Sequence, residues 1–148
     1  MIFKETLPTK VPMDLLLEAD PSEKSIVTYL SDSWCFVALE NERMVAACVV
    51  KPLSDVLAEI FNVSVLPECQ QKGIGSKLLR YALAELSNKG VKRVELGTGT
   101  FGYQLTYYQR LGFRVDSVVK DHFVDNYAEA IFESGIQHKD MLRLYIQL

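Results

Sequence analysis

The sequence predicts a mixed α/β fold, with helices and strands in one domain over residues 1–148. Three observations support this prediction. A chain of 148 residues, 49% of them hydrophobic, can bury one core but is too short for two ordinary domains. Two apolar runs joined by a short polar turn indicate an antiparallel hairpin. Further along the chain, an apolar run, an amphipathic helix pattern and another apolar run follow one another.

The first part of the chain is predicted to form two short helices and the hairpin. Residues 11–19 and 22–30 have a capped, helix-like pattern, and Pro21 separates them because a proline restricts the residue before it. The apolar runs 34–39 and 44–50 flank a polar connection and are therefore expected to be paired antiparallel strands.

The middle of the chain is predicted to be a strand, a helix and a second strand. Residues 57–65 are rich in β-branched and aromatic residues, as in a central strand buried on both faces. Apolar residues then recur at helical spacing from residue 74 to residue 86, and Gly90 suits the end of that helix. Residues 91–96 form the second strand. A crossover through one helix makes the two strands parallel and places a ligand site at the loop that leaves the first strand.

The last part of the chain is predicted to hold a helix, two strands and a long irregular segment. A short helix is expected over residues 103–111, with Gly112 at its end and a strand beginning at Phe113. Residues 142–148 are expected to form the final strand. The intervening residues, from about 121 to 140, show little periodicity and exceed the usual loop length, which makes them a candidate for function.

A glycine-containing loop, Gln70-x-x-Gly73-x-Gly75, lies between the buried strand and the first turn of the amphipathic helix. The first backbone N–H groups of a helix have no intrahelical partner, and glycines let an anion approach them, so this loop favours a phosphate. Lys72 adds positive charge. An ordinary glycine-rich helix entry is the alternative, because short glycine patterns often occur by chance.

Two other phosphate-binding motifs do not fit this loop. A dinucleotide fingerprint needs a third small residue three positions after Gly75, where the sequence has Leu78. A P-loop needs Lys followed by Ser or Thr, but Ser76 and Lys77 stand in the reverse order.

The loop and the order of elements resemble the GNAT superfamily of N-acetyltransferases over nearly the whole chain. This resemblance implies a mixed, mostly antiparallel sheet, splayed between the two central parallel strands, with helices on both faces. It also implies acetyl-CoA as co-substrate, no metal, and a pyrophosphate site at residues 70–76. The cofactor-binding residues implied by the resemblance are Val63, Val65, Gln70, Gln71, Lys72, Gly73, Ile74, Gly75 and Ser76.

A second segment, residues 107–113, is similar to the family's Phe-Tyr-Glu-x-x-Gly-Phe run, and Tyr108 takes the place of the general acid. A phenol with a pKa of about 10 can protonate a leaving thiolate whose conjugate acid has a pKa of about 8.5, if the site favours the transfer. The alternative role for Tyr108 is ring packing and a hydrogen bond to a carbonyl group.

Glu59 is the predicted general base. It interrupts an apolar strand and lies fourteen residues before Gly73, the same offset as the catalytic glutamate in histone-acetylating members of the superfamily. A glutamate at the end of a strand that faces solvent is the alternative.

The long late segment carries several carboxylates that would attract a cationic amine if they lined the mouth of the site. A solvated acidic loop is the alternative, and His122 and His138 are interpreted as surface or packing residues rather than metal ligands. The five carboxylates are Asp121, Asp125, Glu129, Glu133 and Asp140.

Composition limits the class of partner. The net charge of −3 and a sequence pI near 5.4 argue against nucleic acid. No signal peptide or apolar run of membrane-spanning length is recognisable, and three scattered cysteines indicate neither a disulfide framework nor zinc, so a cytoplasmic protein without membrane partners is expected. The expected function is acetyl transfer to a small-molecule amine, with a homodimer left open. A protein N-acetyltransferase and a non-catalytic acyl-CoA sensor remain as alternatives.

Overall fold

The computed structural model describes all residues from Met1 to Leu148. The strands are β1 Ile2–Thr6, β2 Trp34–Glu40, β3 Arg43–Pro52, β4 Leu57–Val65, β5 Arg93–Gly99, β6 Arg114–Val119, β7 Phe132–Glu133, β8 Ile136–Gln137 and β9 Met141–Gln147. The helices are α1 Met13–Leu16, α2 Glu23–Leu30, α3 Ile74–Asn88, α4 Tyr103–Arg110 and α5 His122–Asn126. Seven strands form one sheet in the order β1-β2-β3-β4-β5-β9-β6, and β7 pairs with β8 separately.

The seven-stranded sheet is mixed, and β4 with β5 is its only parallel pair. β4 pairs with β5 only through residues 57–60, whereas it stays paired with β3 as far as Val65. Residues 61–65 of β4 therefore have no strand partner on the β5 side, and the sheet opens there. This confirms the predicted fold class, a mostly antiparallel sheet splayed between two central parallel strands.

α3 covers one face of the sheet. Its apolar stripe, predicted from helical spacing, is buried in the main core, where Leu78, Leu79 and Leu86 are fully buried. The helix ends at Asn88, and Gly90 follows it with a φ of +93°, the left-handed conformation that glycine adopts at low cost. No helix in the structure combines the length and the apolar composition needed to span a bilayer.

α1 and α2 cover the opposite face, so helices lie on both sides of the sheet. Leu15 of α1 and Ile26 of α2 are buried in a second core against Val37 and Val49 of the sheet. The Ser22 side chain caps α2 by accepting a hydrogen bond from the Ser25 N–H at 3.1 Å. The two predicted N-terminal helices are therefore present, although each is shorter than its predicted range.

A β-bulge interrupts β4 just where it diverges from β5. Ile60 and Asn62 lie opposite consecutive residues of β3, so Phe61 is an extra residue in the register. Phe61 stacks on the Tyr29 ring of α2 with centroids 4.9 Å apart, and Asn62 donates a hydrogen bond to the Tyr29 hydroxyl. Both side chains therefore lie on the α2 face, although consecutive residues of a regular strand would alternate.

Three features differ from the sequence prediction. β1, at the edge of the sheet, was not predicted. The stretch 121–140 is not simply irregular, because it contains α5 and the β7–β8 hairpin. β4 is central but not buried on both faces: Phe61 is 36% exposed, because the opening of the sheet leaves one side of the strand uncovered.

Candidate active site

A cleft of about 840 Å³ opens where β4 and β5 diverge. Its walls come from the second half of β4, the loop and first turn of α3, the α4 helix, the α1–α2 connection and the segment between β6 and β9. The volume lies within the range of about 300–1,000 Å³ that is typical of small-molecule sites.

The N-terminus of α3 forms one end of the cleft. The first hydrogen bond of the helix runs from the Lys77 N–H to the Gly73 carbonyl at 3.1 Å, so the N–H groups of residues 74–76 have no helical acceptor. Gly73 has a φ of +79°, and a Cβ added to it would meet nothing within 4 Å. The Gln70 amide donates to the Val65 carbonyl at 3.0 Å and ties this loop to the end of β4. The result is an open, electropositive backbone cradle suited to an anion.

The structure brings together most of the residues predicted to bind the cofactor. Lys72 is the exception, because its side chain is exposed and does not line the cleft. The predicted residues that line the cleft are Val63, Val65, Gln70, Gln71, Gly73, Ile74, Gly75 and Ser76.

Two adjacent tyrosines of α4 reach the cleft. The ring of Tyr108 meets those of Tyr107 and Phe113 edge-to-face, at centroid distances of 5.1 and 5.9 Å. The Tyr107 hydroxyl is buried without a hydrogen-bond partner, and a Cβ added at Gly75 would lie 3.4 Å from it. Burial raises the pKa of Tyr107 to about 12 and holds the pKa of Tyr108 well above its usual value. Both phenols are therefore protonated at neutral pH and able to donate.

Glu59 is not brought to the cleft. Its carboxylate accepts a hydrogen bond from Arg143 of β9 at 2.9 Å, and its side chain is only 16% exposed. Arg143 also contacts Glu95 of β5, whose pKa is lowered chiefly by the hydrogen bond from Arg93. Glu59 thus belongs to an ion-pair network across β4, β5 and β9, and its assignment as the base stays a prediction.

Only one of the five carboxylates predicted to form an acidic mouth lines the cleft, and this is Glu133. Asp140 instead accepts hydrogen bonds from the Lys120 side chain at 3.0 Å and from the Asp121 N–H at 2.9 Å. The remaining three are exposed to solvent. The solvated-loop interpretation is therefore the better description of that segment, apart from Glu133.

Glu133 is bound to a histidine that also lines the cleft. The Nε2 atom of His138 lies 2.8 Å from the Glu133 carboxylate, and the imidazole stacks on Phe101 with centroids 4.1 Å apart. His138 is only 8% exposed. It is a packing residue, as predicted, but it also helps to form the wall of the site.

Two buried polar residues on the α1–α2 side of the cleft were missed at the sequence level. Asp20 is 7% exposed and accepts hydrogen bonds from the Tyr29 and Tyr127 hydroxyls at 3.1 and 3.3 Å. Asn62 is 3% exposed, and its side-chain nitrogen donates a hydrogen bond to the Tyr29 hydroxyl, which in turn donates to Asp20. Asn62, like Glu59, is a polar residue within an otherwise apolar strand, so the argument used for Glu59 could also have identified Asn62.

The side chains that line the cleft give it a negative charge. Three carboxylates contribute, Glu18, Asp20 and Glu133, and no lysine or arginine lines the cleft. The positive end of the site is supplied only by the backbone at the start of α3. The cleft can therefore receive an anionic group at α3 and a cationic group elsewhere.

Comparison with known proteins places the chain and its fold in one family. The model of an acetyltransferase (GNAT) domain matches residues 31–115. The chain is 38% identical over 136 residues to the uncharacterized N-acetyltransferase YvbK of Bacillus subtilis (strain 168), covering 91% of this chain and 88% of the relative.

Solved structures agree over almost the full length. An IAA acetyltransferase from Bacillus cereus ATCC 14579 superimposes with a TM-score of 0.94 at 37% identity, covering 99% of both chains. A GNAT family acetyltransferase from Elizabethkingia anophelis, solved with acetyl-CoA bound, gives a TM-score of 0.92 at 37% identity and covers 99% of this chain and 98% of its own. By the family match, the close relative and the shared fold, the chain belongs to the GNAT family of acetyltransferases.

Proposed function

We propose that this protein transfers the acetyl group of acetyl-CoA to a primary amine of a small cationic molecule. The observation that carries the proposal is the polarity of the cleft, which has an anion cradle at one end and three carboxylates, with no lysine or arginine, among its lining residues. Such a surface attracts a protonated amine and repels an acidic acceptor.

The residues of the cleft fit acetyl-CoA. Its pyrophosphate matches the unpaired N–H groups of residues 74–76 and the open space above Gly73. The unpaired edge of β4, residues 61–65, offers backbone groups to the amide-bearing pantetheine arm, and Val63 and Val65 offer apolar contact beside it. The acetyl-CoA bound to the Elizabethkingia relative, which has the same fold, supports acetyl-CoA as the ligand.

Tyr108 supplies the proton for the departing sulfur. The amine nitrogen forms a bond to the acetyl carbon, the carbon–sulfur bond breaks, and the sulfur takes a proton from the Tyr108 hydroxyl. Because burial raises the pKa of Tyr108, its hydroxyl keeps its proton over the physiological pH range. The same raised pKa makes full transfer uphill, so part of the benefit comes from a hydrogen bond to the sulfur as negative charge develops there.

Glu133 is the proton acceptor that the cleft best supports. It lines the cleft, and the hydrogen bond with His138 fixes the position of its carboxylate. Glu59, by contrast, is hydrogen-bonded to Arg143 away from the cleft. A carboxylate is a far weaker base than an amine, so Glu133 draws the proton from the ammonium through a water molecule in an uphill step, or acts on the small neutral fraction of the amine.

A small acceptor suits the walls better than an extended peptide. Phe123, Tyr127 and Phe132, from the segment between β6 and β9, face the cleft together with Glu18 and Asp20 of the α1–α2 connection. These two segments limit the cleft on the acceptor side, which favours a compact molecule.

The test is release of free thiol from acetyl-CoA in the presence of single acceptors. The panel contains diamines, polyamines, aminoglycosides, amino acids and short peptides, and mass spectrometry identifies the acetylated product. We expect turnover with cationic small amines. Turnover confined to peptides would replace the small-molecule acceptor by a protein, and tight acetyl-CoA binding without any turnover would favour the sensor.

A further inference from the structure

Asp20 is a buried carboxylate without a counter-ion. It is 7% exposed, and its hydrogen-bond donors are all neutral: the Ser22 N–H at 3.1 Å and the hydroxyls of Tyr29 and Tyr127 at 3.1 and 3.3 Å. No lysine, arginine or histidine nitrogen lies within 4.0 Å of it. Burial of an ionised carboxylate is costly unless a cation pairs with it.

Asn62 presents a second unfilled acceptor in the same network. Its side-chain nitrogen donates to the Leu16 carbonyl at 3.0 Å and to the Tyr29 hydroxyl at 3.1 Å. Because a carbonyl can only accept, Leu16 fixes which end of the amide is nitrogen. The Asn62 Oδ1 atom is buried and has no partner, and Asn62 is 3% exposed at the wall of the cleft. A buried acceptor without a donor needs a partner that the chain does not supply, and a ligand N–H would be one.

Aromatic rings complete this end of the cleft. Phe61 is stacked on Tyr29 and lines the cleft, and Phe123 and Tyr127 line it as well, with their centroids 6.1 Å apart. Aromatic faces beside a carboxylate stabilise an ammonium group through cation–π attraction.

This polar end lies on a different side of β4 from the acetyl-binding residues. Phe61 and Asn62 face α2, whereas Val63 and Val65 pack on the core beneath α3. The two faces of β4 therefore provide separate surroundings for a cation at Asp20 and for the acetyl group.

We infer that Asp20, Asn62 and Phe61 form a subsite for a second ammonium group, and that the acceptor is accordingly a diamine or polyamine. The inference rests on the proposed function and narrows its substrate class. The distal ammonium donates to the Asp20 carboxylate and to Asn62 Oδ1, while the other amine reaches the acetyl group. Asp20 is a binding residue in this scheme and takes no part in proton transfer.

Asp20 also holds the α1–α2 connection together, so loss of activity alone would not distinguish binding from folding. The informative quantity is the preference for a second ammonium. We would measure kcat and KM at saturating acetyl-CoA for α,ω-diamines of three to six carbons and for the n-alkylamines of the same lengths. Because a diamine has two equivalent amines that can react, its rate is divided by two before the comparison. The series makes no assumption about the distance between the two subsites.

We expect the best diamine to exceed its matched monoamine about 10- to 100-fold in kcat/KM, the effect of a charge-assisted hydrogen bond. Asp20→Asn should remove most of this preference, chiefly by raising KM for the diamines. Asp14→Asn is the matched control, since Asp14 is exposed on α1 and does not line the cleft, and it should keep the full preference. Phe61→Ala changes a partly exposed side chain and should lower the preference about 2- to 5-fold.

Equal kcat/KM for diamines and monoamines in the wild-type protein would overturn the subsite while leaving the proposed function intact. The same conclusion follows if Asp20→Asn keeps the preference. If Asp20→Asn does not fold, the wild-type preference and the Phe61→Ala ratio decide the matter. Absence of turnover with every amine, together with turnover on peptides, would contradict the proposed function and the subsite with it.

Discussion

Replacement of Gly73 by glutamate tests the anion cradle at the start of α3. Gly73 has a φ of +79° and open space where a Cβ would be, so the Cβ of the new residue meets no protein atom, and its carboxylate is expected to reach the proposed pyrophosphate position. Gly90 provides the matched control at the other end of the same helix, with a φ of +93° and nothing within 4 Å of an added Cβ. Gly73→Glu and Gly90→Glu therefore carry the same charge and comparable backbone strain.

Two changes in Tm are expected, one from backbone strain at the substituted glycine and one from acetyl-CoA binding. A left-handed conformation costs a non-glycine residue about 1–2 kcal/mol, which lowers the Tm of a chain of this size by about 2–8 °C in both variants. Acetyl-CoA at 100 times its Kd stabilises the folded state by about 2.7 kcal/mol, or about 5–11 °C. Gly90→Glu should keep this ligand-induced shift, and Gly73→Glu should lose it.

Thermal unfolding followed by fluorescence or circular dichroism, with and without acetyl-CoA, measures both effects on the same samples. The ligand-free Tm values test the strain, and the ligand-induced shifts test the cradle. A full shift in Gly73→Glu would refute the assignment of the pyrophosphate to this loop. Loss of the shift in Gly90→Glu would show that the helix as a whole, rather than its N-terminus, had been disturbed.

Three further predictions concern the chemistry of the cleft. Tyr108→Phe should lower kcat about 10²- to 10⁴-fold with unchanged acetyl-CoA affinity. Tyr107→Phe should keep most of the activity and should not lower Tm, because the Tyr107 hydroxyl has no hydrogen-bond partner. A larger rate loss in Tyr107→Phe than in Tyr108→Phe would assign the general acid to Tyr107. If Glu133 draws the proton from the ammonium form, Glu133→Gln should lower kcat/KM most at low pH, where neutral amine is scarcest, and Glu59→Gln should leave the pH–rate profile unchanged. The opposite pattern would make Glu59 the base, as the sequence predicts. Cys69 is 8% exposed at the cleft and should react with a thiol reagent faster than Cys35 and Cys48, which are 0% exposed. Bound acetyl-CoA should slow the reaction of Cys69. Equal rates with and without acetyl-CoA would argue against cofactor in that part of the cleft.

The sequence was sufficient for the elements whose signals are local. The hairpin, the stripe of α3 and the glycine loop depend on residues a few positions apart, and the structure has all of them near their predicted bounds. β1 was missed because its evidence is not local. Ile2–Thr6 is a short edge strand with no fully buried residue, and it is defined by its pairing with β2, from Thr6 with Cys35 to Ile2 with Leu39, which is 29 to 37 residues away along the chain.

The same distinction applies to the cleft. The residues around α3 and Tyr108 could be predicted because each lies within a short motif. Asp20 and Asn62 meet only through Tyr29, so their association depends on how α2 packs on the sheet. His138 enters the wall because Gly99 has no side chain, and a Cβ added there would overlap the imidazole ring. No spacing rule connects residues from such distant segments.

The bulge at Phe61 has a consequence for how enzymes of this shape can diversify. It shifts the alternation of β4 by one position, so Phe61 and Asn62 face α2, the acceptor side in our proposal, whereas Val63 and Val65 pack on the core beneath α3, beside the proposed acetyl-CoA site. Mutations at the first pair can change which amine is recognised while the cofactor contacts stay as they are. Removal of Phe61 would leave Ile60 and Asn62 opposite Val50 and Val49, the partners they have now, so the extra residue can be replaced or lost without moving the residues that follow it in β4.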